Sequence, residues 1–210
     1  MTGSSLVISP KILSIMWQRN TRFIFSIGHS NHPSDKFVQL VKQHEIKLIV
    51  DTRSYPFSKF APHFSSGSIE NILKENGIEY LFLGKELGGR PQESEFYDSE
   101  GHVLYWKLAN TSKLREGVQR LEEEAKKHRI AILCSEEDPT CCHRRLLVGK
   151  VLSGRGFALQ HIRSDGRIQS EDELINVGSQ STLFNPSERV VWRSTQSVLQ
   201  KRLPQNSSGH

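Results

Sequence analysis

All three cysteines of this 210-residue chain fall in one stretch, CSEEDPTCCHRR at residues 134–145, beside a histidine and two arginines. Thiols, imidazole and guanidinium so close in sequence suit four outcomes: a metal site, a disulfide, a reactive thiolate, or burial without chemistry. The disulfide ranks last. The N-terminal SLVISPKILSIMW is broken by Pro10 and Lys11 and does not read as a secretory signal, so an intracellular, cytoplasmic setting is expected, where clustered cysteines more often react or bind metal. Cys142 precedes the apolar run LLVGKVL and is expected at a helix N-terminus beside Arg144, where the helix dipole and positive charge favour a thiolate. Cys134 closes an apolar run and is expected to be either structural or reactive. Cys134, Cys142 and His143 also offer three zinc ligands, with His29 or Asp51 as a fourth, but the seven residues between the first two cysteines are not a short finger spacing. No metal is assigned; zinc stays an alternative. A phosphatase loop needs an arginine after five intervening residues, and counting so from Cys134 and Cys142 reaches Thr140 and Val148 instead. With two arginines opening the helix, an anion pocket is the preferred reading.

Further polar residues follow apolar runs in the same manner. His29 and Ser30 come after RFIFSIG, Asp51 and Arg53 after KLIV, and Gly88, Gly89 and Arg90 after YLFLGKEL. Arginine forks suit phosphate, which makes Arg53, Arg90 and Arg144 expected anion holders, with Ser30 beside them. Gly88 and Gly89 either let amides approach an anion or simply permit a tight backbone path. Asp51 would activate water or stabilise developing positive charge, as carboxylates do in glycosidic cleavage. His29 or His143 would move a proton, and Cys142 would act as nucleophile or shape the pocket.

These residues can meet only if the elements carry them to one edge. Apolar runs alternate with amphipathic segments: strands are expected at RFIFSIG, IKLIVDTR, IEYLFLG, RIAILC and FALQHI. Helices are expected at SDKFVQLVKQHE with Ser34 as cap, SIENILKENG ending at Gly77, SKLREGVQRLEEEAKKH with Ser112 as cap, and HRRLLVGKVLSGRG. Such alternation predicts an α/β fold, three-layered, with a mostly parallel central sheet of about five strands and helices on both faces. Ligands of such sheets sit beyond the carboxyl ends of the strands. The candidate residues are all placed there. Residues 1–20 are expected to be an extension, 21–178 the α/β domain, and 179–210 a flexible tail; residues 84–105 read as a long polar loop.

Taken in order, SIGHSN, LIVDTRSYPFSKFAPHFS, GIEYLFLGKELGGRP and ILCSEEDPTCCHR make the chain resemble the bacterial and archaeal family named domain of unknown function 488, over about residues 22–168. The resemblance implies an α/β fold and a final motif of Cys134, Asp138, Pro139, Cys142, His143 and Arg144, with Cys141 at a variable position. It implies no reaction.

Lys and Arg exceed Asp and Glu by 28 to 23, a net charge of +5 that suits anionic partners. No apolar run reaches membrane-spanning length, so no membrane partner is expected. In the tail, Gln180, Leu183 and Phe184 have the spacing of short peptides that dock on the bacterial sliding clamp, an expected partner contact. Walker and dinucleotide motifs are absent, so no ATP or nicotinamide cofactor is expected. The leading expectation is an enzyme, hydrolase- or glycosidase-like, acting on DNA or a nucleotide in DNA repair or base processing. The alternatives are a non-catalytic nucleic-acid-binding module with a Cys/His metal site, and an enzyme on a small phosphorylated metabolite.

Overall fold

The computed structural model describes residues 22–179 and 192–198. Runs of continuous apolar residues, such as Leu48-Ile49-Val50 and Ile130-Ala131-Ile132-Leu133, are buried throughout, the signature of strands covered on both faces. Five strands run parallel: β1 (Arg22–Gly28), β2 (Leu48–Asp51), β3 (Glu79–Phe82), β4 (Ile130–Cys134) and β5 (Phe157–Ile162). A sixth, β6 (Ile168–Ser170), adds an antiparallel edge to β5, giving the order β3-β2-β4-β1-β5-β6. The three-layer α/β expectation holds, with one strand more than the sequence indicated. Three residues are too short for a period-2 pattern to stand out.

Alternate strand residues feed two cores. Phe25, Ile27, Ile49 and Leu133 pack under α1 (Ser34–Gln43) and α2 (Ser66–Glu75). Ile24, Leu48, Val50 and Ile132 face the other way, toward α3 (Gly84–Leu87), α4 (Tyr105–Ala109), α5 (Ser112–Lys127) and α6 (Lys150–Ser153). Full burial of each such aliphatic side chain contributes about 1.5–3 kcal/mol before entropy is counted.

Several local expectations change. Pro33, held extended at ψ 149°, occupies the cap position of α1, so Ser34 is its first helical residue and makes no capping bond. Helix α5 is capped by Thr111, whose hydroxyl accepts the Leu114 amide at 3.2 Å, rather than by Ser112. Gly77 does close α2 in the left-handed region (φ 72°). The stretch 84–105 is folded, holding α3, a 3-10 turn at Ser94–Phe96 and a Tyr97–Val103 bridge. Residues 144–149 wind as a π-helix before continuing into α6.

Of the tail expected from residue 179, residues 192–198 are described. Trp192–Val198 lies against the domain: the Trp192 indole donates to the Leu146 carbonyl at 2.7 Å, Ser194 exchanges two bonds with Val103, and the Val198 amide donates to Gly101. Gln180, Leu183 and Phe184 lie outside the described residues.

Candidate functional site

Strands β2 and β4 are neighbours, but their chains leave in opposite directions. After β2 the chain goes outward to β3; after β4 it passes β1 to reach β5. Divergence of this kind opens a crevice above the carboxyl ends. A pocket of about 240 Å³ lies there, lined by Arg53, Gly89, Arg90, Cys134, Cys142 and His143. Three stretches that are distant in sequence supply these six residues.

The reacting geometry centres on Cys134, the last residue of β4. Its Sγ lies 3.6 Å from His143 Nδ1, and Cys142 Sγ lies 4.0 Å from the same nitrogen. The other ring nitrogen, Nε2, is 2.9 Å from the Thr52 carbonyl oxygen. A carbonyl only accepts, so Nε2 carries the hydrogen and Nδ1 presents its lone pair to the thiols. Thiol, imidazole and orienting carbonyl are thus linked through the two ring nitrogens, an arrangement that can activate a thiol. The thiol of Cys134 is lowered to about 7, chiefly because the Cys142 S–H points at it; Arg144 and the Glu136 and Ser135 amides add to this against burial. Burial drives Cys142 the opposite way, well above the ordinary thiol range. Sequence reasoning favoured Cys142 as the reactive thiol. In the structure both thiols are buried, at 6 % and 2 % exposed, and the balance leans toward Cys134, which loop amides and the Cys142 S–H hold down while burial pushes Cys142 up.

Beneath the pocket, Asp51 is fully buried and spends its oxygens on Arg53. The guanidinium donates from Nε and Nη2 at 2.6–3.1 Å, the Arg53 amide donates at 3.0 Å, and the Tyr80 hydroxyl at 2.8 Å. Asp51 is therefore the counter-ion of Arg53, not a base open to the pocket. His29 is buried too, stacked on Phe64 with ring centroids 4.4 Å apart. Its Nδ1–H donates to the Ser30 carbonyl and its Nε2 accepts from Arg53 Nη1 at 3.0 Å. Burial first and the Arg53 charge second hold the imidazole down to about 4, so it is neutral and has no proton to give. Asp51 and His29 aim Arg53. Three of its five N–H groups are spent on them, and the guanidinium lines the pocket.

Arg144, expected to hold an anion, does not line the pocket. It is 1 % exposed and donates inward to the Glu136 and Glu137 carbonyls and to the Ser26 hydroxyl. It braces the loop whose amides face Cys134. Ser26, His161 and Glu171 form a serine–histidine–carboxylate chain (2.6 and 2.8 Å), but Ser26 and His161 are wholly buried, so the chain fixes α7 (Glu171–Ser179) to the sheet rather than meeting substrate. Ser30 does not line the pocket; its amide donates to Ser135. Gly88 and Gly89 follow the tight-path reading: a Cβ on Gly89 would lie 2.5 Å from the His143 ring, and one on Gly88 would meet the Ser54 hydroxyl at 2.4 Å.

Sequence reasoning missed three contributors. Tyr105, buried and with its phenol raised by burial and by both thiols, lines the pocket as a hydroxyl donor. Tyr80 shares the Asp51 face of the sheet, legible only once strand register is known. Ser194, Gln196, Ser197 and Val198 form a wall, which no local pattern announces. Cys134, Cys142 and His143 offer ligand atoms within 4.8 Å of one another, a donor set that fits a thiophilic ion such as zinc with one position open to the pocket.

The model of one protein family, described as Domain of unknown function DUF488, matches residues 33–151. No curated protein and no solved structure matches the chain. Among the described residues no helix is long and apolar enough to cross a membrane.

Proposed function

The chain belongs to the DUF488 family, and from its site we propose a thiol-dependent hydrolase acting on a phosphate-bearing nucleotide or nucleic-acid substrate, as in DNA repair or base processing. The observation that carries this reading is Cys134 Sγ at 3.6 Å from a His143 nitrogen whose ring is pinned by the Thr52 carbonyl, in a pocket walled by Arg53 and Arg90. Arg53, held by Asp51 and His29, orients the anionic group; Arg90 adds charge at the mouth. His143 Nδ1 takes the Cys134 proton as sulfur bonds to the electrophilic centre, and the imidazolium returns that proton to the departing oxygen or nitrogen. Water, losing a proton to the same nitrogen, then breaks the sulfur bond and restores the thiol. Asp51 has no part as a base in this scheme, in contrast to the expectation from sequence. The test is a panel of nucleotides, oligonucleotides and phosphorylated sugars assayed with wild type and with Cys134→Ser and His143→Gln. Turnover that survives both substitutions overturns the reading, and a covalent adduct on Cys134 seen by mass spectrometry supports it. A preference for phosphorylated sugars would move the substrate to small metabolites.

A second reading rests on the 4.8 Å cluster of Cys134, Cys142 and His143: a zinc-holding module that binds nucleic acid without catalysis. Metal analysis of protein purified without chelator separates the two. About one zinc per chain together with no turnover favours the module.

A further inference from the structure

The loop that carries Arg53 continues into an aromatic run, Tyr55-Pro56-Phe57-Ser58-Lys59-Phe60, of which Tyr55 and Phe57 line the pocket. Phe57 is 71 % exposed and Phe60 96 %, with Tyr55 at 51 %. One exposed aromatic ring on a surface needs no explanation. Three within six residues, beside the pocket, do. The backbone beneath them is fixed. The Ser66 amide donates to the Pro56 carbonyl at 2.8 Å, the Ala61 amide to the Ser58 hydroxyl at 3.0 Å, and Phe64 is buried against His29. The rings are therefore held outward by a built loop.

We propose that Phe57 and Phe60 form a stacking platform for single-stranded nucleic acid whose phosphate enters the Arg53–Arg90 pocket. This rests on the pocket reading given above and names its substrate class. Three observations favour this occupant. The pocket, at about 240 Å³, is smaller than the usual 300–1,000 Å³ of sites that enclose a whole ligand, so a polymeric substrate extends outside it, and Tyr55 and Phe57 in its lining are exposed to meet the remainder. The charge is complementary: Lys59 stands between Phe57 and Phe60 in the sequence and pairs with no carboxylate among the described residues, while Arg53 and Arg90 line the pocket. Aromatic faces interleaved with cations are how unpaired bases are held without sequence preference, since every base offers a π-face. Duplex bases are stacked on one another and present no free face.

The probe is fluorescein-labelled dT12, titrated by fluorescence anisotropy at 50 and 200 mM KCl, against a labelled hairpin duplex and vesicles of phosphatidylserine. Wild type is expected to bind dT12 more tightly than the duplex, and more weakly at the higher salt. Phe57→Ala and Phe60→Ala should each weaken dT12 binding by roughly 5- to 100-fold with unchanged circular dichroism, and Phe60→Trp should restore it. Both rings are exposed, so misfolding is not the expected confounder. Equal binding by the alanine variants, preference for the duplex, or capture by vesicles but not by dT12 each overturns the platform. The two readings fail separately. Loop variants with intact dT12 binding but turnover lost in Cys134→Ser would sink the platform alone. Variants that lose dT12 binding while Cys134→Ser keeps full turnover would sink the thiol mechanism alone.

Discussion

Replacing Asp51 with asparagine separates a buried counter-ion from a general base. The pair it forms with Arg53 is 0 % and 4 % exposed, so solvent screening gives no discount. Asparagine keeps the shape but removes the charge, and its amide group points hydrogens toward guanidinium N–H groups. Removing one partner of a buried ion pair costs about 3–5 kcal/mol, because the other charge stays unpaired. That is a large share of the roughly 5–15 kcal/mol that holds a domain together. In a domain of this size it lowers the melting temperature by roughly 6–20 °C. Urea unfolding followed by circular dichroism measures it. The double variant Asp51→Asn/Arg53→Met should recover part of the loss, giving a coupling energy on the order of 1–3 kcal/mol. If Asp51→Asn unfolds at the wild-type urea concentration yet loses all turnover, the carboxylate is acting on substrate and the counter-ion argument is wrong.

Three further outcomes follow from the geometry. His29 is held down to about 4 from 6.5, so the unfolded chain takes a proton between these values that the folded chain refuses. The His29 contribution to stability, about 3 kcal/mol, is fully present above pH 6.5 and is lost as pH drops to 4, and His29→Asn should flatten that part of the slope in urea midpoints measured at pH 7.5 and 4.5. With Cys141→Ser and a chelator present, iodoacetamide should modify Cys134 with a midpoint near pH 7, and Cys142→Ala should raise that midpoint by removing the S–H donor; an unmoved midpoint would deny the donor its part. Gly89→Ala puts a methyl 2.5 Å from the His143 ring and should slow Cys134 alkylation at pH 7 by roughly 10- to 100-fold, whereas Gly67→Ala, with nothing within 4 Å, should leave the rate unchanged.

The parallel sheet was readable because its strands carry unbroken apolar runs and its helices a clear amphipathic period. The placement of polar residues after those runs was readable for the same reason, and it led to Arg53, Cys134, Cys142 and His143, which do line one pocket. Roles were harder to read than places. Asp51, His29 and Arg144 stand near the rim in sequence, but their side chains turn inward, and only the hydrogen-bond partners reveal it. The balance between Cys134 and Cys142 turns on which sulfur meets loop amides, a matter of angstroms that residue spacing does not encode. Tyr105 and the Ser194–Val198 wall depend on long-range packing, and no periodicity points to them.

The family match ends at residue 151, inside the helix that follows His143. The thiols, the imidazole and Arg53 lie within that shared span, whereas the wall contributed by Ser194–Val198 lies outside it. On the proposed reading the chemistry belongs to the shared span, and one wall of the pocket is this chain's own addition beyond it. Grafting a different seven-residue strip at 192–198 is a route to a new preference that leaves the sulfur–imidazole pair intact.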